Sequence, residues 1–212
     1  MTDDNHSALL RLYEQIRVCP DCELSATRTH AVPGEGRPDA EIVFIGEAPG
    51  YHEDQQGRPF VGPAGQFLDQ LLASVGMKRE EVHICNVIKC RPPNNRDPLP
   101  KEIQACHTWL ERQLELIEPK LVVTLGRYSL AKYFPTEPIS RIHGQERRVG
   151  DVVVVPMYHP AAALHQASLR RTIETDFKKL PAILERARQA SPSGGQADAQ
   201  PPVPEPEQMR LF

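Results

Sequence analysis

The chain has 212 residues, 40% hydrophobic and 25% charged, which suits one globular domain with a real core and leaves room for a tail. Its formal charge of −3 counts mildly against a nucleic-acid binder. The last 23 residues hold one Arg and three acids, however, so the body is nearly neutral and can carry a local basic face. A polar start, the lack of an apolar run near the ~20 residues of a membrane span, and five cysteines together argue against export, anchoring and a disulfide scaffold.

Taken in chain order, Leu9, Leu10, Leu12, Tyr13 and Ile16 predict a helix over 7–18 that runs into Cys19. A Gly/Pro loop follows over 28–40. Glu41–Gly46 is a short apolar, β-branched strand ending in a G-E-A-P-G loop. Pro63 to Val75 reads as an amphipathic helix, Val82–Val87 as a second strand, Arg91–Pro100 as a loop and Pro100 to Ile117 as a helix. A third strand, Lys120–Leu125, precedes a helix over Arg127–Tyr133. Asp151–Pro156 is a fourth strand, and 168–189 one long charged helix.

Strands alternating with helices predict an α/β fold, a central four-stranded parallel sheet with helices on both faces. In such sheets ligands bind beyond the carboxyl ends of the strands. Glu47, Asn86 and His159 each follow or end a strand there.

Cys19 and Cys22 form a C-x-x-C at a helix end, while Cys90 and Cys106 flank the Pro-rich loop. Four thiolates from two distant segments suit tetrahedral zinc or a Cys₄ cluster equally, and spacing does not choose between them. In either case the site ties the N-terminal helix to the loop that carries Arg91 and Arg96. Cys85, among apolar neighbours in a strand, reads as a core residue.

The motifs C-P-D-C, G-E-A-P-G-Y-H-E-D, G-R-P-F-V-G-P-A-G, N-V-I-K-C-R-P-P and Y-H-P-A-A, in this order and with the cysteines interleaved, resemble the family 4 uracil-DNA glycosylases. The resemblance covers about residues 8–185. It implies a three-layer uracil-DNA-glycosylase-like fold and a [4Fe-4S] cluster on Cys19, Cys22, Cys90 and Cys106. The activity it implies is hydrolysis of the bond between uracil and deoxyribose, leaving an abasic site for base excision repair.

The same resemblance assigns roles. Phe60 is the platform on which the flipped base stacks. The Asn86 amide donates to uracil O4 and accepts from N3–H, a match that cytosine inverts. The acidic pair Glu53–Asp54, Glu53 foremost, fills the space a thymine methyl would need. His159 donates to uracil O2 and stabilises the departing anion. Glu47 lies on the sugar side, followed by Ala48 where related families place an Asp. Lys89, Arg91 and Arg96 in one loop, Arg141, His143, Arg147 and Arg148 in another, and Arg170 and Arg171 at a helix start are placed to contact phosphates. Leu164 is a candidate wedge for the gap left by the flipped base. A relative that traps DNA covalently has G-E-Q-P-G and a basic insertion with a histidine. This chain has G-E-A-P-G and N-N-R-D-P-L-P, which implies turnover.

These features divide the chain into a glycosylase domain, 1–189, and a Pro-rich tail, 190–212, too polar to offset the cost of ordering. The final Gln208-Met209-Arg210-Leu211-Phe212 resembles a sliding-clamp docking peptide, with Gln208, Leu211 and Phe212 as its contacts. The linker before it spans roughly 25 Å as a flexible coil. A cytoplasmic monomer is expected. The competing reading is a non-catalytic iron–sulfur or zinc module that binds nucleic acid or senses redox state. It leaves the convergence of Glu47, Phe60, Asn86 and His159 unexplained.

Overall fold

The computed structural model describes residues 3–190. The expected tail and its Gln208, Leu211 and Phe212 lie outside the described residues. Among these residues six strands form one sheet: β1 (Glu35–Gly36), β2 (Ile42–Gly46), β3 (His83–Asn86), β4 (Leu121–Leu125), β5 (Arg147–Val149) and β6 (Val152–Met157), in the spatial order β1-β3-β2-β4-β6-β5.

The four central strands are parallel, as expected. The sheet is larger than expected because β1 and β5 add antiparallel edges. Those edges are Glu-Gly and Arg-Arg-Val, with no apolar run to mark a strand. Such short, charged edges also discourage pairing with another chain.

The layers follow from the two-residue period of a strand. In β2, Val43 and Ile45 point into a core with Leu9, Leu12 and Ile16 of α1 (Asp3–Val18) and Leu110 and Ile117 of α4 (Pro100–Ile117). Ile42 and Phe44 point the other way, into a core with Phe67, Leu68 and Leu71 of α3 (Pro63–Ser74), Ile173 and Phe177 of α8 (Ala167–Phe177), and Ile183 of α9 (Leu180–Gln189). Every residue of β2, β3 and β4 is buried; β2 and β4 are largely apolar for that reason, while β3 carries buried His83 and Asn86.

The helix expected over 168–189 is two helices, α8 and α9, broken at Lys178–Lys179. Pro181 stands in the first turn of α9, where its missing N–H costs nothing. Four short helices complete the pattern: α2 (Tyr51–Gln56), α5 (Arg127–Ala131), α6 (Ile139–Ile142) and α7 (Pro160–His165). Among them, only α5 matches a predicted helix, and it ends two residues early.

Candidate active site

The register of the sheet sets Gly46 beside Asn86 and Leu125 beside Met157, so the carboxyl ends of β2, β3, β4 and β6 form one rim. Above it opens a cleft of about 360 Å³, within the usual range for a small-molecule site. Glu47, Ala48, Glu53, Phe60, Asn86, Arg96 and His159 all line it. Six of these were expected to meet at the base-binding site. They come from four separate segments.

Asn86 is almost wholly enclosed, and its Oδ1 is buried without a hydrogen-bond partner. Buried acceptors are nearly always satisfied, so an orphan here marks a place kept for a ligand donor. The Phe60 ring is buried beside it, on a backbone with φ of 49°.

His159 caps α7, and the Ala161 N–H donates to its Nδ1 at 3.1 Å. That bond leaves the proton of the neutral ring on Nε2. Burial pushes the imidazole down to about 4, so it stays neutral at pH 7 and offers a donor without a charge. Gly126, at φ +92°, lets the end of β4 pass close by. A Cβ there would stand 3.1 Å from the His159 Cβ.

Glu47 is half-buried. Burial foremost, and Asp97 after it, hold its carboxyl above the usual range, while Arg127 pulls the other way. Arg127 and Asp97 are themselves paired. Sequence reasoning missed this pair, although Arg127 follows β4 just as Glu47 follows β2.

Glu53 reaches the cleft, but its carboxylate is committed to backbone. Oε1 accepts from the Val61 and Gly62 N–H groups, each at 2.8 Å, and Oε2 accepts from the Gly50 N–H at 3.1 Å. It therefore fastens the G-E-A-P-G loop to the loop that presents Phe60. Asp54 is buried away from the cleft and accepts from the Thr29 N–H at 2.9 Å.

The expected DNA contacts fare unevenly. Lys89 requires correction: it is 1% exposed, with its Nζ bonded inside the protein, and cannot reach a phosphate. Arg96 borders the cleft but grips buried Glu102 through two bonds, at 2.6 and 2.9 Å, so it is not a free cation. His143 pairs with buried Asp176 at 2.6 Å. Arg91 is half-buried, bonded to Asn95 at 2.7 Å, and lies over the Tyr51 ring. Arg141 and Arg170 are exposed, and Arg147 is within 3.6 Å of Glu137. Leu164 is 49% exposed on α7, the helix that His159 caps.

Cys19, Cys22, Cys90 and Cys106 surround a second pocket, between α1, the loop after β3 and α4. Among the described residues, no three His, Cys, Asp or Glu side chains gather closely enough to hold a single metal ion. The four sulfurs line the pocket wall instead. Arg28 Nη1 donates to Cys90 Sγ at 3.1 Å and the Lys89 N–H to Cys106 Sγ at 3.4 Å. Trp109 lines the same pocket with its buried Nε1 unpartnered. Burial pushes the Cys19, Cys90 and Cys106 thiols up, Cys106 to about 11. Cys85 is a core residue, as expected. Arg28 and Trp109 were not foreseen, because neither side chain is a metal or cluster ligand.

The uracil DNA glycosylase superfamily model matches residues 33–184. The type-4 uracil-DNA glycosylase of Archaeoglobus fulgidus is 49% identical over 178 residues, spanning 80% of this chain and 89% of its own. That of Sulfurisphaera tokodaii is 47% identical over 183 residues, spanning 82% and 83%. A type-5 uracil-DNA glycosylase from Pyrobaculum aerophilum is 31% identical over 174 residues, 74% of each chain.

Proposed function

The chain belongs to the uracil DNA glycosylase superfamily, among the type-4 enzymes, and on that footing we propose how its cleft removes uracil from DNA. The observation that carries the reading is the orphaned Asn86 Oδ1, buried in a cleft beside an aromatic ring and a neutral imidazole. Uracil N3–H supplies the missing donor and O4 accepts from the amide. Cytosine, unprotonated at N3 and with an amino group at position 4, leaves both ends mismatched.

Catalysis is a matter of charge. As the glycosidic bond lengthens, the sugar becomes cationic and the base anionic. His159 Nε2–H donates to O2, where the negative charge grows. As a carboxylate, Glu47 favours the cationic sugar and orients the attacking water; burial foremost and Asp97 after it raise its pKa, while Arg127 favours the ionised form. Ala48 leaves the neighbouring position without a second carboxylate. Glu53 fills the space a thymine methyl would take. It acts with its carboxylate anchored to three amides, and so as a rigid wall.

The cysteine pocket fits a [4Fe-4S] cluster on Cys19, Cys22, Cys90 and Cys106. The donor set is four thiols with N–H donors around them, among them Arg28 Nη1 on Cys90, the Lys89 main-chain N–H on Cys106 and the Trp109 indole beside Cys19. A single zinc would draw its sulfurs to within about 4 Å of each other. The cluster's contribution is structural: it clips α1 to the segment that carries Asn86. Brown colour and visible absorption in anaerobically prepared protein distinguish it from zinc.

Arg91, Arg141, Arg147 and Arg170 hold the DNA backbone. The enzyme acts as a cytoplasmic monomer at the nucleoid, and 208–212 docks it to the sliding clamp. Deleting those five residues then abolishes clamp binding and spares activity on short oligonucleotides. Among the described residues no helix is long and apolar enough to cross a membrane.

The reaction is tested on single- and double-stranded uracil oligonucleotides, followed by alkali to cut abasic sites. Strand scission with multiple turnover is expected, and no SDS-stable adduct. Folded, iron-replete protein that produces no scission overturns the proposal.

A further inference from the structure

Lys89 plays no part in the chemistry above, yet its Nζ is among the most enclosed ionisable groups in the molecule, and burial holds its pKa below the usual lysine range. It lies three residues past Asn86, the last residue of β3. Its Nζ donates to the Asn86 carbonyl oxygen at 2.7 Å and to Gln113 Oε1 at 2.5 Å. Gln113, wholly buried on α4, in turn donates its Nε2 to the Pro33 carbonyl at 2.9 Å. The main chain of Lys89 is fixed as well: its N–H donates to Cys106 Sγ at 3.4 Å, and its carbonyl accepts from the Val32 N–H at 2.7 Å.

Burying an ammonium is costly, and a methionine-sized apolar side chain would fill the same space without that cost. What Nζ adds is direction: as a donor, in either protonation state, it holds one particular carbonyl, that of the residue whose amide faces the base. An amide reads uracil only if its donor and acceptor are both in register, and a side chain is no better aimed than the backbone beneath it.

We propose that Lys89 is a positioning residue for base recognition: its Nζ, braced by Gln113, fixes the Asn86 main chain and through it the amide that reads uracil. This rests on the uracil reading of the cleft. The Cys106 contact ties the same residue to the cysteine-bearing segment, so the recognition amide and the cysteine pocket share one anchor.

A double-mutant cycle tests the inference. Lys89→Met, Asn86→Ala and the double variant are assayed by single-turnover cleavage of a single-stranded uracil oligonucleotide, with melting temperature and iron content measured in parallel. Lys89→Met is expected to slow cleavage about tenfold in the wild-type background, the usual scale for losing an orienting partner. In the Asn86→Ala background it is expected to slow cleavage less than about twofold, because its effect passes through Asn86. Equal slowing in both backgrounds overturns the proposal, as does an unchanged rate in Lys89→Met. A multiplicative loss that tracks lowered iron content assigns Lys89 to the cysteine pocket and overturns it too. If Lys89→Met does not fold, Gln113→Leu, which removes the brace on Nζ, takes its place under the same criterion. A folded wild-type chain inactive on uracil removes the reading of the cleft itself, a distinct failure.

Discussion

The Phe60 ring and the His159 imidazole stack on one another, centroids 5.4 Å apart and planes within 25°. The proposed platform and the proposed anion stabiliser thus support each other. Phe60 is held there against its own backbone, in the left-handed region at φ 49°. A non-glycine residue persists in that region only where its surroundings overdetermine it. Here Glu53 grips the next two amides, and Arg79 donates to the Phe60 carbonyl at 3.2 Å.

Two substitutions separate the ring from the strain. Phe60→Ala loses the stack, worth about 1–3 kcal/mol, so single-turnover rates on uracil DNA should fall roughly 5- to 150-fold. Phe60→Gly loses the same stack but relieves the backbone, and should be more stable than Phe60→Ala by about 1 kcal/mol. Equal denaturation midpoints for the two would show that the positive φ carries no cost.

Gly46 reports on the other side of the site. A Cβ there would run into Asn86 Oδ1 and stand 2.7 Å from two carbons of the Phe60 ring. Gly46→Ala should therefore displace the reading amide and the platform together, costing about 1–3 kcal/mol of stability as overpacking does. The uracil rate should fall further than that loss of stability explains. A variant with wild-type kcat/KM on uracil DNA would mean the two side chains have room to retreat.

The central sheet was legible because β2 and β4 are buried on both faces and so are largely apolar, and because Val82 and Val87 flank the buried Ile84 and Cys85 of β3. Glu47, Asn86 and His159 were legible because a parallel sheet gathers polar residues at its carboxyl edge. Lys89 was misplaced because its neighbours in sequence, Arg91 and Arg96, do reach the surface. Nothing in a string of letters distinguishes a lysine that points outward from one turned in to meet Gln113, 24 positions away. The Glu53 clamp was invisible for a similar reason. Its amide partners at Val61 and Gly62 are backbone, and backbone donors have no letter.

Acid should weaken the fold through His83. The ring is wholly buried, its Nε2 2.9 Å from the Tyr13 hydroxyl and its Nδ1 3.3 Å from the Arg37 carbonyl oxygen. Burial pushes its pKa down to about 4, against about 6.5 in the unfolded chain. The unfolded chain therefore takes up the proton first. Stability from this group is complete above pH 6.5, declines as pH falls toward 4, and declines no further below it. His159, pushed down to about 4 as well, adds a loss over the same window. Together they should cost several kcal/mol between pH 7 and 4. Urea midpoints across that range should show a slope that His83→Gln roughly halves. An unaltered slope in the variant would clear His83 of the effect.

Leu164 offers the sharpest separation of DNA handling from chemistry. It is 49% exposed, on a short helix whose cap is His159 and which packs on α3 and α8. A large apolar side chain held that firmly in water, on the helix that the proposed anion stabiliser caps, is well placed to enter the stack as uracil leaves it. An inserted wedge offsets part of the few kcal/mol that unstacking costs, and it has no such task on a single strand. Leu164→Ala should therefore slow uracil removal about tenfold on U·A duplexes and leave single-stranded substrate within about twofold. A 2-aminopurine opposite the uracil should brighten less on binding, because the flipped state is less populated. Equal loss on both substrates would mean that Leu164 serves the placement of His159 instead. In that case the His159-dependent step, and not the opening of the duplex, would carry the defect.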